Sequence, residues 1–188
     1  MLGCFKIEAI EYGWFGLRIG SDGYAESSDY LGYDFPKKLL HAVWNVLQND
    51  VKEEYIYIMG EPGAELMCIS CYDEKVAVEL YALGKNCDDL RKKEEDEKNN
   101  CGECLFRLDA RAEDIVDGLV SEFYLYENGN GRDLYEAHWG VFPDAEYAKL
   151  KKLAVEMSKK ISSNNRMYSV DMLCPERTRR IRRTQIRG

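Results

Sequence analysis

The clearest pattern of apolar and polar positions lies in the stretch 53–84 and predicts three consecutive antiparallel strands. Tyr55–Met59 is a run of β-branched, aromatic and bulky apolar residues, which is typical of a strand covered on both faces. Glu65–Cys71 forms the second strand, and Pro62-Gly63 before it suits the centre of a type II turn. In the third strand, apolar residues recur at every second position: Val76, Val78 and Leu80. The short connections predict a meander, because parallel pairing needs a long crossover.

A second group of strands is predicted near the start of the chain. Cys4–Glu11 and Trp14–Gly20 are strand-like segments on either side of Tyr12-Gly13. Ser21-Asp22-Gly23 then favours a hairpin turn into a more polar strand, Tyr24–Tyr30.

Helical periodicity follows these strands. Asp34 is a good N-cap, and the apolar spacing after it predicts an amphipathic helix over about Phe35–Asn49. Three further helices are predicted: from near Ala112 towards Tyr126, at Asp133–Trp139, and from Pro143 to a close at Ser162–Arg166. Asn128-Gly129-Asn130-Gly131 is predicted to terminate the first of these three, because its residues tolerate left-handed geometry. Leu105–Leu108 is predicted as one more short strand.

Runs of strands followed by runs of helices indicate an α+β domain, with an antiparallel meander sheet and amphipathic helices packed on one face. Residues 1–174 are predicted to form this single domain. Within it, 85–103 is a charged insertion, because Asp88–Lys98 is a run of mixed charges typical of a solvated loop. Residues 175–188 form a basic, flexible tail.

The composition favours a globular protein. The chain has 188 residues, of which 45% are hydrophobic and 32% charged. No apolar run approaches the roughly 20 residues that span a bilayer, so no membrane association is expected. The first residues lack the pattern of a secretory signal, and the sequence therefore predicts a cytoplasmic protein.

The net charge of −8 is unevenly distributed. Six arginines and one glutamate give 175–188 a charge of +5, so the remaining 174 residues carry −13. An acidic body disfavours nucleic acid and anionic membranes and favours a basic partner protein. The tail has the opposite preference, since its arginines can contact nucleic-acid phosphates: Arg177, Arg179, Arg180, Arg182 and Arg183. It could equally fold back on the acidic body or remain a disordered end.

Two Cys-x-x-Cys pairs form the strongest chemical motif. Cys68 and Cys71, with Cys101 and Cys104, could close a tetrahedral zinc site. The gap between the pairs exceeds the usual spacing, however, and an offset of three along a strand places Cys68 and Cys71 on opposite faces. Cys87 is a replacement ligand. The alternative is buried thiols at the first pair and an exposed, oxidisable pair at the second.

Nothing in the sequence favours an enzyme. There are only two histidines, His41 and His138, and no serine or cysteine lies in a nucleophile-elbow context. Tyrosine is abundant, with 13 residues against 6 phenylalanines, and it suits half-buried sheet faces and recognition surfaces alike.

With these residues in place, the chain resembles a family of small uncharacterised bacterial α+β proteins. The resemblance covers about Phe5–Ile161 and lies in a tryptophan near the second strand, a leucine-rich helix, a Glu-Pro-Gly turn before a valine-rich strand, and a Tyr-x-x-x-Trp…Phe-Pro segment. The matching residues are Trp14, Leu39, Leu40, Glu61, Pro62, Gly63, Val76, Val78, Tyr135, Trp139, Phe142 and Pro143. The resemblance implies the fold but no activity, and some proteins of this general look accompany toxin systems.

The leading hypothesis is therefore a non-enzymatic interaction protein, in its specific form an immunity-like protein that binds a basic partner. The alternative is a zinc-bearing or nucleic-acid-binding accessory protein that uses the cysteine pairs and the arginine tail. A third hypothesis, an enzyme of unknown reaction, requires His138 and nearby carboxylates to line a cleft.

Overall fold

The structure is a computed structural model that describes residues 4–28, 32–48, 51–60, 63–83 and 101–171, with the backbone alone for Cys101 and 161–171. Three predicted features lie outside these residues: Pro62 of the predicted turn, the charged run Asp88–Lys98, and the arginine tail from Pro175.

Seven strands and four helices are present in the described ranges. The strands are β1 (Phe5–Glu11), β2 (Trp14–Ile19), β3 (Gly23–Ser28), β4 (Glu53–Gly60), β5 (Gly63–Tyr72), β6 (Lys75–Leu83) and β7 (Cys101–Arg111). The helices are α1 (Phe35–Gln48), α2 (Ala112–Tyr124), α3 (Gly129–His138) and α4 (Asp144–Asp171). Strands β1-β2-β3 form sheet A and strands β4-β5-β6-β7 form sheet B, both antiparallel. The α+β prediction is confirmed.

Three element boundaries differ from the prediction by four residues or more. Strand β7 begins at Cys101 rather than near Leu105, so the second cysteine pair lies in a strand. Gly129 opens α3 instead of only ending the helix before it. Helix α4 continues to Asp171, past the predicted close at Ser162–Arg166.

Sheet B has an inner face that belongs to the core. The register aligns Ile56 with Met67 and Leu80, and Ile69 with Val78, on this face. All five side chains are at most 3% exposed. Helix α1 covers the β4 side, and its Asn45 donates a hydrogen bond to Glu54 at 2.7 Å.

The predicted cap of α1 is confirmed. Asp34 accepts a hydrogen bond from the Lys37 backbone N–H through its side chain at 3.2 Å, which satisfies one of the unpaired donors of the first turn. The same carboxylate accepts a bond from the Trp139 indole at 3.3 Å. The start of α1 is thereby tied to the segment that follows α3.

Strand β3 crosses sheet B from one edge to the other. At the β4 edge, the Met59 backbone N–H donates to the Ser27 hydroxyl at 3.1 Å. At the β7 edge, the Gly23 backbone lies so close to the Phe106 ring that an added Cβ would be 2.7 Å from it. Four residues of strand span about 14 Å, which matches the width of four strands at about 4.8 Å spacing. Sheet A therefore closes over one end of the inner face.

Contacts divide the chain into two compact units, 1–154 and 155–188. The first unit holds both sheets and α1–α3. In the second, the described residues continue α4. No helix in the described ranges is long and apolar enough to cross a membrane.

Candidate functional site

The outer face of sheet B carries a group of tyrosines, here called the tyrosine face. Its members are Tyr33, Tyr55, Tyr57, Tyr72 and Tyr81. Four project from β4, β5 and β6, and Tyr33 reaches the face from the segment before α1. The rings of Tyr33, Tyr55, Tyr57 and Tyr81 pack around Met59 and Leu66, which are 7% and 0% exposed although they lie on the outer side. Tyr72 lies on the same face at the far end of β5. The apolar part of this face is thus covered by amphipathic rings whose hydroxyls can face water.

Tyr33 also protects the edge of the sheet. Its ring meets Tyr57 edge-on at a centroid distance of 6.2 Å, and its hydroxyl accepts the Tyr57 backbone N–H at 3.0 Å. Two residues further along, Ser27 accepts the Met59 N–H. Side-chain hydroxyls therefore occupy two donors on the edge of β4 that could otherwise pair with another chain.

A charged network borders the tyrosine face on β6 and β7. Arg107 contacts Glu79 at 2.6 Å and Asp109 at 2.9 Å, and the Tyr72 hydroxyl donates to Asp109. The bonds from Arg107 and Tyr72 lower the pKa of Asp109 from 3.8 to about 2. Burial, followed by the charge of Glu79, raises the pKa of Tyr81 to about 12. One guanidinium faces two carboxylates, so the network keeps a single negative charge.

A cleft opens where β3 crosses the ends of the sheet B strands, here called the inter-sheet cleft. Its volume is about 410 Å³. The strands contribute one or two lining residues each, among them Tyr24, Glu26, Gly60, Glu65, Ala82 and Leu105. The described lining includes two carboxylates and no lysine, arginine or histidine.

The two carboxylates of the cleft differ in their surroundings. Glu26 accepts a hydrogen bond from the Tyr24 hydroxyl at 3.4 Å. Glu65 is half-buried, has no hydrogen bond or ion pair among the described residues, and burial raises its pKa above the ordinary value. The cleft therefore holds a negative charge that the described part of the chain does not neutralise.

The predicted zinc ligands are spread over two faces. Cys68 is buried on the outer face and Cys71 lies on the opposite face, because β5 runs on through both residues. Cys104 is exposed and pairs with Tyr81 across the β6–β7 ladder. The side chain of Cys101 and all of Cys87 lie outside the described residues. Among the described side chains, no group of three metal-binding residues comes together. The four-cysteine site stays a prediction.

The two histidines occupy separate places. His138 holds the β1–β2 turn: its Nδ1 accepts the Tyr12 N–H at 3.4 Å and its carbonyl accepts the Gly13 N–H at 2.7 Å. Both turn residues have positive φ angles of 51° and 79°, which this turn requires. His41 lines a second cavity of about 390 Å³ with Lys37 and Lys38. The structural role of His138 gives no support to the enzyme hypothesis.

A scan of protein-family models, a search of curated proteins and a search of solved structures each return no match for this chain. No relative therefore supplies a role for any residue, and the resemblance to a bacterial family stays a prediction.

Sequence reasoning missed the inter-sheet cleft. Its carboxylates come from two sheets and have no shared motif, so no local pattern links Glu26 with Glu65. The only local signal is the set of small residues at the strand ends, Gly60 and Ala82, which leave space where larger side chains would fill it.

Proposed function

We propose that this chain is a non-enzymatic interaction protein that binds a basic partner protein through the tyrosine face. The observation that carries the proposal is the composition of that face: tyrosine rings over buried apolar residues, bordered by Arg107. Tyrosine and arginine are the residue types most enriched at the energetic centres of protein interfaces. Large rings with only two side-chain torsions also lose little entropy on binding.

The charge distribution favours a basic partner. The −13 charge of residues 1–174 creates a long-range negative potential, which attracts a basic protein and accelerates encounter. On the tyrosine face itself, Arg107 offsets one of the two negative charges of Glu79 and Asp109. Attraction at a distance and contact at the interface are therefore supplied by different residues. In the specific form of the proposal, the chain is immunity-like and neutralises a basic toxin.

Site-specific photo-crosslinking in the native host tests the proposal. A benzophenone amino acid replaces Tyr72 on the tyrosine face in one variant, and Tyr124 on α2 in the control variant. The two positions are 40% and 66% exposed, so the control is the more accessible of the two. We expect irradiation to attach one basic protein at position 72 and not at position 124. Equal labelling at both positions, or no adduct at position 72, would contradict the proposal.

A further inference from the structure

The walls of the inter-sheet cleft suit an alkyl chain. Ile58, Leu83 and Leu105 supply apolar surface, and Leu105 is 53% exposed. Gly60 and Ala82 keep the interior open. A cleft lined by both apolar surface and carboxylates matches a long side chain with an apolar stem and a charged head.

The two carboxylates of the cleft favour the binding of a cation. Glu65 is partly desolvated and has no partner among the described residues, and Glu26 is held by Tyr24 at the same site. A half-buried carboxylate without a counter-charge lowers the stability of the free protein, and an incoming ammonium or guanidinium group removes that penalty. Guanidinium groups in particular bind carboxylates through paired hydrogen bonds.

The cleft adjoins the tyrosine face at the ends of the sheet B strands. Ala64 and Leu83 line the cleft, and both also pack against the buried cluster of Tyr57, Met59 and Leu66 beneath the tyrosine face. Glu65 projects from the inner face, because it is aligned with Ile58 and Ala82. A protein seated on the tyrosine face would therefore reach Glu65 with a side chain that passes around the ends of the strands.

From this geometry we infer that the inter-sheet cleft receives one arginine or lysine side chain of the basic partner, with its charged head at Glu26 and Glu65. The inference rests on the proposed function and adds a specific anchor to it. A volume of about 410 Å³ accommodates one such side chain with bridging water, and it falls at the lower end of the usual range for ligand sites.

An NMR titration of the full chain tests the cleft directly. The probe is the capped tripeptide acetyl-Gly-Arg-Gly-amide, with the same peptide carrying citrulline, the neutral isostere of arginine, as a control. We expect shifts of amide signals confined to residues that line the cleft, including Glu26, Glu65 and Ala82, and no saturable shifts with the citrulline peptide. Equal binding of both peptides, or shifts centred elsewhere, would overturn the inference.

Two matched variants separate the cleft from the general acidity of the chain. Glu65→Gln removes the cleft charge, whereas Glu74→Gln removes an equal charge from the exposed β5–β6 turn at the opposite end of the strands. We expect Glu65→Gln to weaken the arginine peptide about tenfold, the scale of one charge-assisted bond, and Glu74→Gln to leave it unchanged. Equal weakening by both variants would reduce the effect to overall charge and overturn the inference.

Misfolding of Glu65→Gln is excluded by a second readout. Because the variant removes a partly desolvated charge, its free energy of unfolding at neutral pH should equal or slightly exceed that of the wild type. Loss of peptide binding at full stability then reports the cleft itself. A variant that lost stability would show that Glu65 has a structural partner, which also contradicts the inference.

Further binding experiments distinguish a failure of the inferred cleft from a failure of the proposed function. Agmatine, a free guanidinium amine, should bind no more tightly than the peptide, and tighter binding by tenfold or more would make the cleft a small-molecule site. If the crosslinked partner still binds Glu65→Gln with wild-type affinity, the proposed function stands and the inference fails. If the arginine peptide binds but no partner crosslinks at position 72, the cleft stands and the proposed function fails.

Discussion

The two faces of sheet B bury apolar side chains by different means. On the inner face, Ile69 and Val78 are fully buried by other elements of the fold, with α1 packed against β5 and α2 against β6. On the outer face, Leu66 is just as buried, but tyrosine rings of the same sheet pack against it. The inner face has the character of a core and the outer face that of an interface, so burial alone does not tell them apart.

The polar groups show the difference more clearly. The inner face offers aliphatic contacts, whereas the outer face ends in hydroxyls and the Arg107 network. A surface of this kind is stable in water and can still exchange water for a protein partner, because each tyrosine keeps one apolar and one polar side. The inner face therefore serves stability, and the outer face is the one that we propose for recognition.

The largest expected effect is a difference between the two faces in how much a substitution lowers the free energy of unfolding. Ile69→Ala on the inner face should lower the free energy of unfolding by about 2–5 kcal/mol, because it leaves a cavity in a closed core. Tyr72→Ala on the outer face should cost about 1 kcal/mol or less, since the residue is 40% exposed and loses one surface hydrogen bond. Urea denaturation measures both values. Comparable losses would show that the outer face also serves mainly as core.

Substitutions at two glycines are expected to change stability by an intermediate amount at one position and very little at the other. An alanine Cβ at Gly23 would lie 2.7 Å from both the Phe106 ring and the Ile19 carbonyl, so Gly23→Ala should cost about 1–3 kcal/mol. At Gly16, the added Cβ would meet the Tyr24 hydroxyl at 2.8 Å, which lies at the end of a partly exposed side chain. Gly16→Ala should therefore leave thermal stability near the wild-type value. If Gly23→Ala had equally little effect on stability, that result would contradict the close packing of β3 across sheet B.

The smallest expected effect is a pH dependence on the outer face. The pKa of Asp109 is lowered to about 2 by Arg107 and Tyr72, with a minor contribution from Lys75. A carboxylate with a lowered pKa stabilises the folded state above its ordinary pKa near 3.8, and this contribution is lost as the pH falls towards about 2. Asp109→Asn should thus be slightly less stable than the wild type at pH 6. The difference between the two melting temperatures should shrink as the pH is lowered from about 4 to about 2. A constant difference down to the lowest pH would mean that Asp109 is not paired in solution.

Elements with a strong local pattern could be predicted from the sequence. The meander of β4, β5 and β6 followed from apolar runs separated by turn residues, and the cap at Asp34 from its position before a helical stripe. The predicted end of α4 was wrong. Ser162–Arg166 contains polar residues but no glycine or proline, and such residues can continue a helix.

The cleft and the division into two sheets could not be predicted, because both depend on contacts between distant parts of the chain. The bond from Met59 to Ser27 joins residues 32 positions apart, and the Gly23–Phe106 contact joins β3 to the last strand. No sequence motif marks either contact. The number and position of the tyrosines in the sequence predicted sheet residues, but only the strand register shows that they share a face.

Native mass spectrometry of the untagged chain, purified from its own host under reducing conditions, tests the interaction hypothesis most directly. It reports the mass of the chain together with any bound protein or metal. We expect a complex with one basic protein, which dissociates as the salt concentration is raised. A chain that carries no protein would contradict the interaction hypothesis. If that chain carried one zinc ion released by acid, the four-cysteine site and an accessory role would replace the interaction hypothesis.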